Sequence, residues 1–462
     1  MSRIARLAVA VTLAGATVGV GALAPDGAAV GATVSHTPAT PIHHFITEMQ
    51  ENHTFDNYFG TYPGADGTPP GTCVPVHPHV SPIPCVRPFH ITGAVGDPNH
   101  ESNAAVAAYD DGKMDGVVSA ENNRHQDGAL SMGYYDGSDV PFSWNAADRY
   151  VLFDHFFSSE MGPSDMNHVY WVAAGPANDA AGLYGLPSTG IQATTIFDEL
   201  QSSGVSWKFY VENYDPSVNF WTKAGLTPAT ASSQLLWCPL LDIQRFVDDP
   251  ALTSHIVPLT QYYNDLHDGT LPEVSYIIPS GNSEHPPTSL IAGQRFQHGL
   301  VTALMASSAW DSSAFMVSYD DWGGWYDHVP PPKRDAYGDG FRVPAYLISP
   351  YARRHYIDHT QLDFTSILKF IEQNWQVPPL TGLDATAGSI MGAFDFSKPP
   401  RPAEIIPLSR AAPTSTHRVP HQVLFASYGV ATALVLAILA AAFRRRRPPP
   451  LPHVSPSIRR SR

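Results

Sequence analysis

Apolar and polar positions in the middle of the chain switch repeatedly between a strand-like and a helix-like period. Residues 45–49, FITEM, predict a short strand that runs into the polar cluster ENHT. Further along, residues 196–200 predict a helix and 206–211 a strand. Residues 256–267 predict a helix, 273–278 a strand, and 289–307 a long helix with apolar residues at helical spacing. The apolar runs 314–319 and 343–348 predict buried strands, and FTSILKFIEQNW at 364–375 predicts an amphipathic helix. Strands alternating with helices argue for an α/β fold with a mainly parallel central sheet between helix layers. No internal repeat is visible.

The two ends have a different pattern. Arg3 and Arg6 precede an apolar run from Leu7 to Leu23 and then small residues, the layout of a secretory signal peptide, taken as 1–32. Residues 423–443 form an uncharged apolar stretch long enough to span a bilayer as one transmembrane helix. Arg444 to Arg447 follow at once, so the tail 444–462 is expected in the cytoplasm. The proline-rich segment 401–422 reads as a stalk linker, leaving 38–400 as the folded domain. The expected location is the bacterial cell membrane, single-pass, with the folded domain extracytoplasmic.

Charge narrows the function. The formal net charge is −15. Seven arginines in the tail and a net +1 in the first 36 residues leave about −23 on the middle. Such a surface repels nucleic acid, so no nucleic-acid partner is expected, although a bound metal ion can reverse the sign locally. Of three cysteines, Cys73 and Cys85 bracket a proline-rich loop and could pair outside the cytosol, while Cys238 in LLWCPLL reads as buried and inert. No CxxC pattern supports a structural zinc site.

Two acidic clusters follow predicted strands: Glu51-Asn52 after the first, and Asp320-Asp321 after 314–319. In a parallel sheet both lie at the same edge, where ligands gather. Together they offer three carboxylates and one amide oxygen, a hard donor set suited to magnesium, calcium or manganese. Taken singly, each cluster is more simply a solvated loop. His100 in DPNHES, His285 in NSEHPP and His328 in WYDHVPPP stand beside acids, glycines or prolines that fix backbone geometry. Ser164, between proline and aspartate, reads as a turn or helix-cap residue; beside a metal it could instead be an alkoxide nucleophile.

These stretches, HHFITEMQENHTFDNYFG, DPNHESNAAVAAYDDGKMDGV, SSEMGPSDMNHVYW, SEHPPTSLIAGQ, SYDDWGGWYDHVPPP and DFTSILKFIEQNW, occur in order over about 41–377. They resemble the bacterial phosphoesterase family that contains phospholipases C and related secreted acid phosphatases. The resemblance implies an alkaline-phosphatase-like three-layer α/β sandwich. It implies one divalent metal ion, with calcium, magnesium, manganese and zinc all left open, bound by Glu51, Asn52, Asp320, Asp321 and the Ser164 hydroxyl. It further implies a Ser164 nucleophile, with His100 and His285 in the phosphate pocket, and His328 as a buttress of the Asp320-Asp321 loop. The implied substrate is a phosphoester, phospholipids included, in a hydrolysis of phospholipase C or acid phosphatase type.

Three departures stand out. The phospholipases commonly have threonine at Ser164, an arginine at His168, and Asp-Glu where this chain has Asp320-Asp321. Losing the arginine puts any phosphate contact it makes in doubt. Trp322, Trp325 and Tyr326 are candidates for an apolar approach to the site or for packing. The rival reading is a non-catalytic, surface-anchored binding module on the same fold. Oligomeric state is not readable from the sequence.

Overall fold

The computed structural model describes residues 37–78, 84–176, 191–222, 233–336 and 338–410. The expected signal segment, transmembrane helix and cytoplasmic tail lie outside these. No helix among the described residues is long and apolar enough to cross a membrane.

The core is one eight-stranded sheet. In chain order its strands are β1 (His44–Gln50), β2 (Val151–Phe153), β3 (Trp207–Val211), β4 (Ile256–Pro258), β5 (Val274–Ile278), β6 (Ser313–Tyr319), β7 (Ala345–Ile348) and β8 (Tyr356–Asp358). Their order across the sheet is β8-β2-β7-β6-β1-β5-β3-β4. All neighbours are parallel except β7, which runs antiparallel to both β6 and β2. The expectation of a mainly parallel α/β sheet therefore holds, with one reversed strand.

Helices cover both faces. On β1, Phe45 packs on Phe370 with ring centres 4.7 Å apart, and Thr47 accepts a hydrogen bond from Trp171 Nε1 at 3.2 Å. That face is covered by α4 (Phe364–Trp375) and α2 (Ser164–Ala173), which pack on each other. The alternate residues of β1 face the other layer, where the backbone N–H of Glu284 donates to Gln50 Oε1 at 3.1 Å, just ahead of α3 (Leu290–Ala306). Alternation of side chains across a strand thus gives three layers. The helix over 364–375 begins and ends where the sequence predicts: Asp363 accepts from Thr365 N at 2.7 Å as its cap, and Gln376 closes it in the left-handed region.

Two boundaries differ from expectation. The helix predicted over 256–267 is instead the edge strand β4 followed by a helix at Thr260–Asp268. Ile256, Val257 and Pro258 pair with Phe209, Tyr210 and Val211, and Pro258 is tolerated because the strand is at the edge. Residues 401–410, the start of the expected stalk, lie against the domain. Ile406 is buried, the Arg401 guanidinium donates to the carbonyls of Ser349 and Ala352 at 3.1 and 2.8 Å, and Arg410 pairs with Asp148. The folded unit therefore extends past residue 400. Cys73 and Cys85 form a disulfide, and Cys238 is buried and free.

Candidate active site

Register places the two acidic clusters side by side. β1 and β6 are central and parallel, with Gln50 opposite Tyr319, and the Asp320 N–H donates to the Gln50 carbonyl at 3.0 Å. The next residues on each strand, Glu51-Asn52 and Asp320-Asp321, therefore emerge together at the C-terminal sheet edge. All four side chains are buried. The DDWGGW turn brings its loop against Asn52. A side chain at Gly323, where φ is 59°, would start 2.0 Å from the Asn52 carbonyl oxygen, so only glycine fits.

Ser164 is the first residue of α2, and its hydroxyl donates to Asp321 Oδ2 at 3.0 Å. The positive end of that helix points at the same acidic cluster. His100 is held by its Nδ1 against the Pro98 carbonyl at 2.9 Å, and its Nε2 lies 3.0 Å from the Asn52 amide nitrogen. His285 stands opposite, with the two imidazole rings 5.7 Å apart and edge-to-face. The structure thus brings together every residue expected at the site: Glu51, Asn52, Asp320, Asp321, Ser164, His100 and His285.

These groups border a small pocket of about 100 Å³ lined by Glu51, His100, Ser164, Leu236, Trp237 and His285. Its apolar wall is Leu236 and Trp237. Trp322 and Trp325 do not contribute to it: both are fully buried, Trp322 stacks on Phe341 at 4.7 Å, and Trp325 stacks on His53 at 5.9 Å. Their role is packing, and the Trp322 indole N–H also holds the His100 carbonyl at 3.2 Å.

Electrostatics fits a cation. Burial raises the proton affinity of the Glu51 carboxylate well above the usual range, and the neighbouring Asp320 and Asp321 raise it further. Burial and Asp321 do the same to Asp320, while burial raises Asp321 against the opposing pull of His100. Three buried carboxylates in contact must take up protons or share a positive ion. The Asn52 carboxamide has two orientations here. With its nitrogen toward the carboxylates it donates to Glu51 Oε2 at 2.7 Å and Asp320 Oδ1 at 2.9 Å, and its oxygen accepts from His100 and His285 Nε2 at 3.0 and 3.2 Å. With its oxygen toward them it would complete, with the three carboxylates, a hard-donor set for a divalent ion. On His100, burial pulls the proton affinity down, but Asp321 and Asp97 outweigh it and leave it above the ordinary value.

His328 is held away from the pocket. Its Nδ1 and backbone N–H contact Asp56 Oδ2 at 2.7 and 3.0 Å, while the buried Arg342 donates to Asp327 Oδ1 at 2.9 Å and to Asp56 Oδ1 at 3.2 Å. This network ties the loop after β6 to α1 (Phe55–Phe59), the helix that follows ENHT.

Three site residues were not anticipated in these positions. His168 is fully buried with Nε2 3.1 Å from Glu51 Oε1. Its spacing of four from Ser164 on a helix was the available signal. Glu284 accepts from the hydroxyls of Tyr58 and Tyr319 at 2.6 Å each and from Gln294 Nε2 at 2.8 Å. Gly293 makes room for it, since a Cβ there would lie 2.2 Å from Glu284 Cγ. His53, in ENHT, lies with Nδ1 2.7 Å from Asn57 Oδ1 and Nε2 3.1 Å from the Glu284 carbonyl, and so braces the turn that carries His285.

Several known proteins resemble this chain. The model of the Phosphoesterase family matches residues 42–378. Phospholipase C B of Mycobacterium tuberculosis is 29% identical over 447 residues, covering 83% of this chain and 84% of that protein. The non-hemolytic phospholipase C of Pseudomonas aeruginosa is 26% identical over 80% of this chain and 60% of its own length. Among solved structures, the lipoteichoic acid synthase LtaP from Listeria monocytogenes covers 77% of this chain and 78% of its own at 8% identity, with a TM-score of 0.38. The chain belongs to the Phosphoesterase family and is a phosphoric ester hydrolase.

Proposed function

We propose that this protein is a metal-dependent phosphoester hydrolase of phospholipase C or acid phosphatase type that uses Ser164 as its nucleophile. The observation that carries this reading is the Ser164 hydroxyl donating to Asp321 Oδ2 at the rim of a buried three-carboxylate cluster. Glu51, Asn52, Asp320, Asp321 and the Ser164 oxygen would hold one divalent ion. When bound, such an ion lowers the pKa of the hydroxyl it touches and neutralises charge developing on the phosphoryl oxygens. Asp321 Oδ2, which accepts from the Ser164 hydroxyl, would take its proton as Oγ attacks phosphorus. The bond from phosphorus to the alcohol then breaks, leaving a phosphoseryl group for water to hydrolyse. His100 and His285, which also line the pocket, would bind a phosphoryl oxygen or deliver the proton that the departing alcohol needs.

The pocket volume suits a phosphoryl head, and the Leu236 and Trp237 wall favours an ester with an organic group over free phosphate. The names of the relatives support a phospholipid as substrate. We place the domain outside the membrane, anchored by 423–443. The Cys73–Cys85 disulfide supports an oxidising compartment.

The direct test assays the full chain on p-nitrophenyl phosphate and p-nitrophenyl phosphorylcholine, with and without chelator. Turnover of either substrate that stops on chelation and returns with added divalent ion is expected. A folded protein with bound metal that turns over neither substrate would sink the catalytic reading.

A further inference from the structure

His168 stands where the phospholipase relatives are expected to carry arginine, and it is fully buried beneath the carboxylate cluster. It follows Ser164 by one helical turn, so the same face of α2 presents both side chains to the same place. Its Nε2 lies 3.1 Å from Glu51 Oε1 and 3.8 Å from Asp320 Oδ2. Atoms that share one cation at bond lengths of about 2.1 Å stand about 3 Å apart when adjacent, and farther when nearly opposite. Both separations fall in that range, and the three atoms lie within 4.8 Å of one another.

The far edge of the ring decides between two roles. Nδ1 is buried and makes no close hydrogen bond, and the polar group acting on it from that side is the Trp237 carbonyl. A proton on Nδ1 would point toward that carbonyl and turn the bare Nε2 lone pair toward Glu51 and Asp320. A lone pair aimed at two carboxylates is repulsive unless a cation lies between them. The same pattern, one ring nitrogen toward a backbone carbonyl and the other toward the ion, is how metal-binding histidines are held.

We propose that His168 Nε2 is a ligand of the divalent ion, which makes the donor set mixed nitrogen and oxygen. This rests on the metal-dependent reading above. A nitrogen donor shifts preference away from calcium and magnesium and toward manganese, iron, cobalt or zinc.

The test loads the full-length protein with Mn²⁺ and measures electron spin echo modulation from ¹⁴N. Coupling to a coordinated imidazole nitrogen is expected in the parent protein and in His100→Gln and His285→Gln. In His168→Gln it should vanish, with Mn²⁺ affinity falling at least about 10-fold. Mn²⁺ bound without ¹⁴N coupling overturns the proposal while leaving a metal site in place. So does coupling that survives His168→Gln, or that disappears in either of the other two variants. Failure of the folded parent protein to take up any divalent ion overturns the metal-dependent reading itself. If His168→Gln does not fold, the parent, His100→Gln and His285→Gln spectra still decide, because no other histidine approaches the cluster among the described residues.

Discussion

Ser158 and Ser159 precede Ser164 in sequence, yet of the three only Ser164 bonds to the acidic cluster; Ser159 Oγ accepts from the Phe364 N–H instead. Ser158 points its hydroxyl at the Phe341 and Glu160 carbonyls instead. Position at the first turn of α2, and not residue type, singles out Ser164 as the proposed nucleophile. Ser164→Ala is therefore expected to lower kcat on the order of 10³-fold or more, with the fold unchanged. Steady-state kinetics beside a circular dichroism spectrum checks this, and a variant that kept full rate would remove Ser164 from the reaction. The acidic residues should behave differently, because under the proposed function they act through the ion they would hold. At an ion concentration 100 times its Kd, binding to the folded state alone is worth about 2.7 kcal/mol. Stripping the ion with chelator should lower Tm, and replacing it should restore both Tm and turnover. Calorimetry with and without chelator reads this directly, and an unchanged Tm would argue against a site that binds tightly.

At the scale of elements, the site depends on loops held in register by buried charge. Arg342 is wholly buried, its guanidinium shared between Asp327 and Asp56, with further bonds to the carbonyls of Asp66 and Asp154 at 2.8 Å each. It links the loop after β6, helix α1 and the end of β2. Removing one partner from such a network strands the opposite charges, which typically costs about 3–5 kcal/mol. Arg342→Met should thus unfold at lower denaturant, with a loss of that size by equilibrium chemical unfolding. Activity should fall further than the folded fraction accounts for, because the Asp320-Asp321 and Glu51-Asn52 loops lose their common anchor. A loss under 1 kcal/mol would show that the network contributes little.

Across the whole molecule, the sheet interior holds charge that folding suppresses. Glu48 sits mid-strand on β1, fully buried, with one carboxylate oxygen lacking a partner. Burial pushes its pKa up to about 8, only partly offset by Gln50, and Glu284 adds to the rise. The folded state therefore keeps this proton where the unfolded chain has released it. Its contribution to stability is fully present below the ordinary glutamate pKa and declines as pH rises toward 8. Glu48→Gln cannot ionise, so its stability should fall less between pH 5 and 8 than that of the parent protein. The difference should reach on the order of 3 kcal/mol at pH 8. Urea unfolding at several pH values measures it, and parallel curves for the two proteins would refute the assignment.

Local pattern was enough for much of this protein. Runs such as 314–319 and 364–375 carry their own periodicity and caps, so the elements and the mainly parallel sheet were legible in sequence. Polar residues directly after two apolar strands were enough to nominate Glu51, Asn52, Asp320 and Asp321 as one group. Residues 256–258 were not legible as a strand, because a three-residue edge strand exists only by pairing with β3. The place of His168 was equally hidden: four residues along a helix from Ser164, its meaning depends on which face of α2 meets the sheet edge. The aromatic residues of DDWGGWY could line a pocket or fill a core with the same spacing, and only packing against Phe341 and His53 decided for the core. Sequence alone thus determined which residues could do chemistry, since that follows from residue type and local order. Tertiary structure decided which of them meet, because contacts between residues more than 100 positions apart depend on strand order and helix facing, which no local pattern encodes.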